Sequence, residues 1–270
     1  MKTFAPSVFL LAVFCAGGFA QSLSLMTWNV ESDGADPQVI ANQLRNLKGH
    51  QIYALTEVDK GQFERFRSAF GSDFKSIHGT HKENDHLQLI YDSTKLELVS
   101  WTEMEDFDGI KFNYENRALR CPLLARFKHK EEGEFQVVVN HLARGNAKFR
   151  TGQAIGLREW ARTQTTPTIA IGDFNFDFEF KTRQGNKAFT EFMRDNVWQW
   201  IEPKKLIDTN WYDRDRDGKD DYPGSMLDFA FVAGSAKKFK WQCEVIVRDG
   251  DFPDDDKTSD HRPVVLKLVR

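Results

Sequence analysis

Six short stretches of the sequence place a carboxylate, an amide or an imidazole where an apolar, strand-like run ends or begins. They cover residues 27–31, 55–57, 139–142, 171–175, 227–229 and 259–263. A strand end is a rigid mount at the rim of a sheet, so a side chain there can be held for metal binding or catalysis. One such stretch alone is more often a turn. Together, the six supply oxygen and imidazole ligands without a thiolate, which suits Mg²⁺, Mn²⁺ or Ca²⁺.

The elements that must position these groups alternate between strand and helix patterns. Asp36 and Pro37 predict a helix start, since Asp is a good N-cap and Pro fits the first helical position; apolar residues then recur at helical spacing until Gly49. A second helix is predicted over residues 146–163. Predicted strands cover residues 22–30, 52–58, 86–91, 95–101, 119–128, 134–141, 168–172, 226–232, 241–247 and 264–269. No linker or internal repeat interrupts the pattern, so we expect one domain in which sheets pack face to face with helices outside.

The N-terminus has the features of a signal peptide. Lys2 precedes an apolar run over residues 8–14, and Gly18 and Ala20 occupy the small-residue positions before a cut at Gln21. This pattern predicts a signal peptide over residues 1–20, a mature domain over residues 21–270, and a secreted or periplasmic protein of bacterial origin. A buried N-terminal helix is the alternative. We expect no transmembrane segment, because no later apolar run has spanning length.

The composition leaves the partners open. The formal net charge is -3, so the chain as a whole has no electrostatic bias toward nucleic acid or an anionic membrane, although bound cations and arginines can reverse the field in one cleft. No feature indicates an obligate protein partner. Cys121 and Cys243 remain after export, and they form either a disulfide or two separate buried thiols.

At these motifs the sequence resembles the endonuclease/exonuclease/phosphatase superfamily. The stretches WNV, TEV, NHL, GDFN, LDF and SDHRP occur in the family's order and cover nearly all of residues 22–270. The resemblance implies a four-layer α/β sandwich, in which helices flank two packed mixed β-sheets and the active site lies at one rim. It also implies a hydrolase that acts on phosphate esters with the help of a divalent metal ion, Mg²⁺ or Mn²⁺.

The resemblance assigns a role to each motif residue. Asn29, Glu57 and Asp260 match the metal ligands, and Glu31 stands where some members have a metal-binding Asp. Asp173 and Asn175 match the pair that orients the attacking water and the phosphoryl oxygens. The resemblance also supplies two histidines with carboxylate partners and a phosphate-binding arginine: His261 with Asp228, His141 with Asp85, and Arg120.

These roles agree with the chemistry of phosphate-ester hydrolysis. Negative charge develops on the nonbridging oxygens and on the leaving oxygen, and a cation and an imidazolium aimed there stabilise it. A carboxylate beside each histidine fixes the tautomer and favours the charged form. Whether Asp173 acts as the base or only positions the water stays open.

Three further features of the sequence each allow two interpretations. Asp213, Asp215, Asp217 and Asp221 resemble the first half of an EF-hand loop, which predicts a structural Ca²⁺ site as the alternative to a solvated acidic loop. Aromatic residues near the C-terminal third form either a substrate rim or core packing: Trp198, Trp200, Trp211 and Tyr212. Basic residues near the second helix either attract a polyanion or form a solvated face: Arg144, Lys148, Arg150, Arg158 and Arg162.

The sequence therefore predicts an exported, metal-dependent phosphodiesterase, and the two-histidine pattern with Arg120 favours a nuclease of the deoxyribonuclease-like type acting on nucleic acid. The first alternative is a phosphatase or sphingomyelinase-like phosphodiesterase that acts on small or lipid phosphates. The second is a non-catalytic binding module with the same fold, which would show no metal-dependent turnover.

Overall fold

The computed structural model describes residues 23–80, 84–113, 119–215, 217–222 and 224–269. The predicted signal peptide lies outside these ranges. Within them the strands are, in chain order, β1 (Ser24–Asn29), β2 (Ile52–Val58), β3 (Phe74–His78), β4 (His86–Asp92), β5 (Leu96–Glu103), β6 (Asp106–Phe107), β7 (Ile110–Lys111), β8 (Leu123–His129), β9 (Gly133–His141), β10 (Thr168–Glu179), β11 (Gln199–Trp200), β12 (Ser225–Ala233), β13 (Lys240–Val245) and β14 (Val264–Val269). The α-helices are α1 (Pro37–Asn46), α2 (Phe63–Ser68), α3 (Ala147–Arg162) and α4 (Lys187–Met193).

Most strands belong to two six-stranded mixed sheets. The first has the order β13-β14-β1-β2-β4-β3 and the second the order β11-β12-β10-β9-β8-β5. In the first, β1 and β2 run parallel across α1, which confirms the predicted β-α-β opening. In the second, β9 and β10 run parallel across α3. The carboxyl ends of both parallel pairs carry the predicted site residues.

Alternation along the strands explains the layers. In β1, Leu25 belongs to the core cluster between the two sheets, whereas Met26 packs in a second cluster with Ile40 and Leu44 of α1. Strands buried on both faces are often nearly continuous apolar runs, as in the first four residues of β2, whereas β1 also buries the polar residues Ser24, Thr27 and Asn29. Phe192 of α4 packs against Phe174 of β10 and Phe231 of β12 in the second sheet. The predicted four-layer α/β sandwich is therefore confirmed.

The helix starts follow from capping. The Asp36 side chain accepts a hydrogen bond from the Gln38 N–H, and Pro37 is the first helical residue, as predicted. Asn146 caps α3 by accepting from the N–H groups of Lys148 and Phe149. Both helices end before the predicted limits. The helix α1 ends at Asn46 and was predicted to continue to Gly49, and α3 ends at Arg162, one residue before its predicted end.

Among the described residues, no helix combines the length and apolar character that a membrane span requires. Cys121 and Cys243 are both buried, and Cys243 is a free thiol whose pKa is raised by burial. Among the described residues, no disulfide joins Cys121 to Cys243.

Candidate active site

The predicted residues meet where strand ends of both sheets converge. In the first sheet, Asn29 is the last residue of β1 and Glu57 is the penultimate residue of β2. His141 ends β9 and Asp173 lies in β10, in the second sheet. These four side chains touch across the gap between the sheets, so the site exists only when the sandwich is assembled.

Asn29 links the two sheets. Its amide nitrogen donates to Glu57 Oε1 at 3.0 Å and to Asp173 Oδ2 at 3.1 Å. His141 Nε2 lies 3.5 Å from both of those carboxylate oxygens. Glu57, His141 and Asp173 thus offer ligand atoms within 4.8 Å of one another.

A second acidic group lies on the segment before β14. The Asp260 N–H donates to Glu31 Oε2 at 2.8 Å, and Asp260 Oδ1 lies 3.7 Å from His261 Nε2. Asn210 also reaches Asp260, since its amide nitrogen lies 3.3 Å from Oδ2. Asn210 was missed by the sequence reasoning, because an isolated Asn in a loop carries no motif.

His261 and Asp228 form a buried pair. His261 Nδ1 lies 2.7 Å from Asp228 Oδ2, and the two side chains are 4% and 0% exposed. Burial disfavours the imidazolium, yet the charges of Asp228 and Asp260 and the hydrogen bond to Asp228 outweigh it and raise the pKa of His261 to about 10. His261 Nε2 lies 4.0 Å from Asp173 Oδ2, so a cationic N–H is directed to the centre of the site.

The backbone around His261 is fixed by β1. Trp28 Nε1 donates to the His261 carbonyl at 2.8 Å, and the Ser259 hydroxyl donates to the Asn29 carbonyl at 2.6 Å while accepting from the His261 N–H. Trp28 and Ser259 are part of the sequence motifs, and these bonds show why those residue types occur there.

His141 and Arg120 lie on the side of the site opposite His261. Arg120 Nη2 lies 2.7 Å from both ring nitrogens of His141. Burial lowers the pKa of Arg120, while the charges of Asp85, Glu57 and Asp173 oppose that shift. Asp85 accepts a hydrogen bond from the Ser32 hydroxyl at 2.8 Å. The pairing of Asp85 with His141 stays a prediction, although Asp85 acts electrostatically on the same arginine.

Irregular backbone positions several of these side chains. The β2–β4 register shifts between Leu55 and Val58, and the β10–β12 register shifts between Asp173 and Phe178. Bulges of this kind redirect side chains at sheet rims. Glu57 and Asn175 have positive φ within these irregular stretches, and Glu31 and Asp85 have positive φ in the segments after β1 and before β4. Strain of this kind is typical of functional sites.

Gly172 allows the close approach that places Asp173. Its φ is +136°, and a Cβ there would lie 2.1 Å from the Asn140 carbonyl oxygen. Glycine is therefore required by the contact between β9 and β10, which sets Asp173 beside His141.

Asn175 stands at the outer side of the site. Its N–H donates to Asp173 Oδ1 at 2.9 Å, and its side-chain amide donates to the Leu142 carbonyl at 3.0 Å. Arg144 Nη1 approaches Asn175 Oδ1 at 3.4 Å. Of the basic residues near α3, Arg144 is the one that reaches a site residue, whereas Arg158 is paired with Glu191 and Arg162 with Asp195.

The carboxylates fit a divalent cation. Burial raises the pKa of Glu57, and burial together with the Asp260 charge raises that of Glu31 to about 7. Burial and the Asp228 charge raise the pKa of Asp173 to about 6. Crowded carboxylates of this kind are stabilised in their charged form by a cation, and amide and carboxylate oxygens suit Mg²⁺.

The predicted calcium loop has clustered carboxylates. Ligand atoms of Asp213, Asp215 and Asp217 lie within 4.8 Å of one another. Asp213 accepts from the N–H groups of Asp217 and Gly218, and Asp221 accepts from the Arg214 N–H, which folds the loop on itself. Calcium binding there stays a prediction.

The aromatic residues divide between core and surface. Trp198 is 1% exposed and stacks on Phe192, and Trp200 packs against Phe178, so both belong to the core. Tyr212 is exposed and lies near Tyr222.

Comparison with known proteins agrees with this geometry. The model of the Endonuclease/Exonuclease/phosphatase family matches residues 26–261. The chain belongs to this family. Its members are generally phosphoesterase hydrolases that use divalent metals. No curated protein matches the chain.

Solved structures of family members share the fold at low sequence identity. A mannosyl-6-phosphatase from Bacteroides thetaiotaomicron is similar with a TM-score of 0.65 and 19% identity, over 92% of this chain and 100% of that one. D. rerio TDP2 complexed with a single-strand DNA product has a TM-score of 0.72 and 13% identity, over 93% and 100%. The human Nocturnin catalytic domain has a TM-score of 0.58 and 16% identity, over 92% and 95%. At these identities the likeness concerns the fold.

Proposed function

We propose that this member of the family is a metal-dependent hydrolase of phosphate esters. The observation that carries the proposal is the junction of the two sheets, where Asn29, Glu57, Asp173 and His141 touch one another and His261 is held cationic 4.0 Å from Asp173. Titratable groups with strongly shifted pKa values cluster at catalytic sites, which favours an enzyme over a non-catalytic binding module.

Glu57 and Asp260, with Glu31 beside them, would hold the metal ion together with the side-chain oxygen of Asn29, which accepts from the Glu31 N–H. When bound, such an ion stabilises negative charge on the phosphoryl group and lowers the pKa of a bound water. Asn29 positions Glu57 and Asp173 through its amide nitrogen.

The remaining residues would transfer the proton of the attacking water and stabilise negative charge on the phosphate. Asp173, whose pKa is raised to about 6, accepts a hydrogen bond from the attacking water and can take its proton. His261, charged and fixed by Asp228, donates from Nε2 to a phosphoryl or leaving oxygen. Arg120 and His141 supply a second donor pair on the opposite flank.

Two substrate classes remain. The paired histidines and Arg120 support phosphodiester hydrolysis in nucleic acid, as the sequence predicts, and a nuclease is the first candidate. A small phosphate ester is the second, and one observation favours it. The cleft beside Asn175 and Asp260 carries three carboxylates, Asp177, Glu179 and Asp220, which would repel an extended polyanion.

A substrate panel tests the proposal. Plasmid DNA, RNA, sphingomyelin, bis(4-nitrophenyl) phosphate and 4-nitrophenyl phosphate are each incubated with Mg²⁺, Mn²⁺, Ca²⁺ or a chelator. We expect hydrolysis of at least one ester that stops in chelator. Hydrolysis that continues in chelator would refute the metal dependence, and inertness toward every ester would refute the enzyme itself.

Export is a further part of the proposal and is supported by the sequence pattern of residues 1–20. Expression of the full chain in a bacterial host, followed by fractionation and mass spectrometry, is expected to yield a secreted or periplasmic form beginning at Gln21. An intact cytoplasmic chain would contradict export.

A further inference from the structure

A polar pocket adjoins the candidate active site. It encloses about 500 Å³, within the range of roughly 300–1,000 Å³ that is typical of small-molecule sites. Two of its lining residues contact the site directly, since Arg144 approaches Asn175 and Asn210 approaches Asp260. Leu227, beside the buried Asp228, lines it as well. A group attached to a phosphate in the site can therefore extend into this pocket.

The lining is rich in hydrogen-bond acceptors. Asp177, Glu179 and Asp220 each use one carboxylate oxygen within the protein: Asp177 Oδ2 accepts from Asn186, Glu179 Oε2 from Thr182, and Asp220 Oδ1 from the Tyr222 N–H. Within the described part of the chain, the second oxygen of each carboxylate is left for another donor. Three carboxylates on one pocket indicate a ligand that donates several hydrogen bonds.

Of the two arginines that line the pocket, Arg150 is engaged by the protein. Arg150 donates to the carbonyl oxygens of Ala143 and Arg144 and lies 3.7 Å from Asp177. Only Arg144, at the inner end beside Asn175, is placed to meet a phosphate. The outer pocket therefore disfavours a second phosphate and, with it, a continuous nucleic-acid strand.

The outer end of the pocket carries an aromatic face. Tyr222 is 53% exposed, and its ring centroid lies 5.5 Å from that of Tyr212. An exposed tyrosine next to carboxylates can pack against the C–H face of a ring whose hydroxyl groups bind the acceptors.

We propose that this pocket binds the alcohol side of the phosphate ester and that this alcohol is a polyhydroxylated, sugar-like group. The inference rests on the second substrate class of the proposed function, the small phosphate ester, because it makes the pocket the subsite for the leaving group of such an ester. Arg144 and Asn175 then mark the phosphate end and Glu179, Asp220 and Tyr222 the hydroxyl end.

A comparison of four esters tests the inference: glucose 6-phosphate, 4-nitrophenyl phosphate, phosphocholine and a DNA oligonucleotide. We expect kcat/KM to be highest for glucose 6-phosphate. Glu179→Gln and Tyr222→Ala should each lower that value about tenfold, the effect of about one lost charged hydrogen bond or ring contact. Glu179→Gln should lower kcat/KM less for 4-nitrophenyl phosphate than for glucose 6-phosphate, because the nitrophenyl group offers this carboxylate no hydroxyl donor. Glu97→Gln, the same change on an exposed strand residue outside this pocket, serves as the matched control.

A binding measurement separates this inference from the proposed function. Saturation-transfer NMR with glucose 6-phosphate in chelator needs no turnover, and we expect contacts to the sugar protons that weaken in Glu179→Gln and persist in Glu97→Gln. Preference for phosphocholine or the oligonucleotide, or equal binding by both variants, would overturn the sugar-like subsite. If every ester resists hydrolysis while the sugar contacts remain, the proposed enzyme fails and the pocket stands.

Discussion

At the scale of single residues, the pair formed by His261 and Asp228 decides how the site handles charge. Asp228 is fully buried, and its Oδ1 has no hydrogen-bond partner within the described structure, so its charge is directed mainly to His261. The pair is costly in isolation, because burial raises the pKa of Asp228 even as His261 lowers it. We infer that this buried pair serves to keep His261 positively charged at the site.

Asp228→Asn tests that use. The amide keeps the volume of the side chain and can still accept from Nδ1, but it no longer favours the imidazolium, so we expect kcat to fall by at least about a hundredfold with little change in fold. Steady-state kinetics on whichever ester the panel identifies, with circular dichroism, measures both. Asp195→Asn, at an exposed ion pair with Arg162, is the control. Equal kcat in the two variants would contradict the role of Asp228.

The sequence predicted the residues of the site better than their contacts. The motif order identified Asn29, Glu57, Asp173 and His261, because polar residues after apolar strands have few other reasons to recur. It could not identify Asn210 or the contact of Arg144 with Asn175, since these depend on loop paths that bring distant segments together. It also gave β10 as residues 168–172, whereas the strand continues through a bulge to Glu179.

At the scale of elements, the close contact between β9 and β10 depends on one glycine, Gly172. Gly172→Ala would place a Cβ 2.1 Å from a backbone oxygen at a φ of +136°, so we expect a loss of more than about 3 kcal/mol in the free energy of unfolding. Gly133→Ala is the matched control, because Gly133 also has positive φ but open space around its Cβ, and it should cost only about 1–2 kcal/mol. Urea denaturation of both variants gives the difference. Similar losses would show that the β9–β10 contact tolerates a side chain.

A pH-sensitive histidine, His50, lies between the start of β1 and the start of β2. His50 precedes β2, its Nδ1 lies 2.7 Å from the Ser24 hydroxyl, and burial with the nearby Lys267 lowers its pKa to about 4. Between pH 6.5 and 4 the unfolded chain binds a proton that the folded chain does not. The stability contributed by neutral His50 is therefore complete above pH 6.5 and is lost as the pH falls toward 4, by roughly 2–3 kcal/mol.

Comparison of wild type with His50→Gln measures this contribution. Unfolding free energies are determined in urea at intervals from pH 7.5 to 4, and we expect the variant to lose less stability than the wild type over that range. Curves that stay parallel would mean that His50 is protonated equally in the folded and unfolded chains.

At the scale of the whole molecule, the proposed metal ligands link the stability of the chain to the assembly of the sandwich. Asn29 of the first sheet donates to Glu57 of the same sheet and to Asp173 of the second, while Asp260 lies on the segment that leads into β14. The general pattern of two sheets and outer helices followed from the family resemblance and from the apolar patterns of α1, α3 and most long strands, whereas β3, α2 and α4 were not predicted. Which strand ends face one another did not, since that depends on packing between the sheets.

A cation bound at this junction should therefore stabilise the entire fold. At a concentration of about 100 times Kd it adds about 2.7 kcal/mol, provided that the unfolded chain does not bind it. Thermal unfolding in Mg²⁺, Ca²⁺ or chelator measures the effect, and two variants separate the two candidate sites. Glu57→Gln should remove the rise in Tm caused by Mg²⁺, and Asp215→Asn should remove only a rise specific to Ca²⁺, because its loop lies outside the sandwich core. If Mg²⁺ raises the Tm of Glu57→Gln as much as that of the wild type, the ion binds elsewhere and the junction is not the metal site.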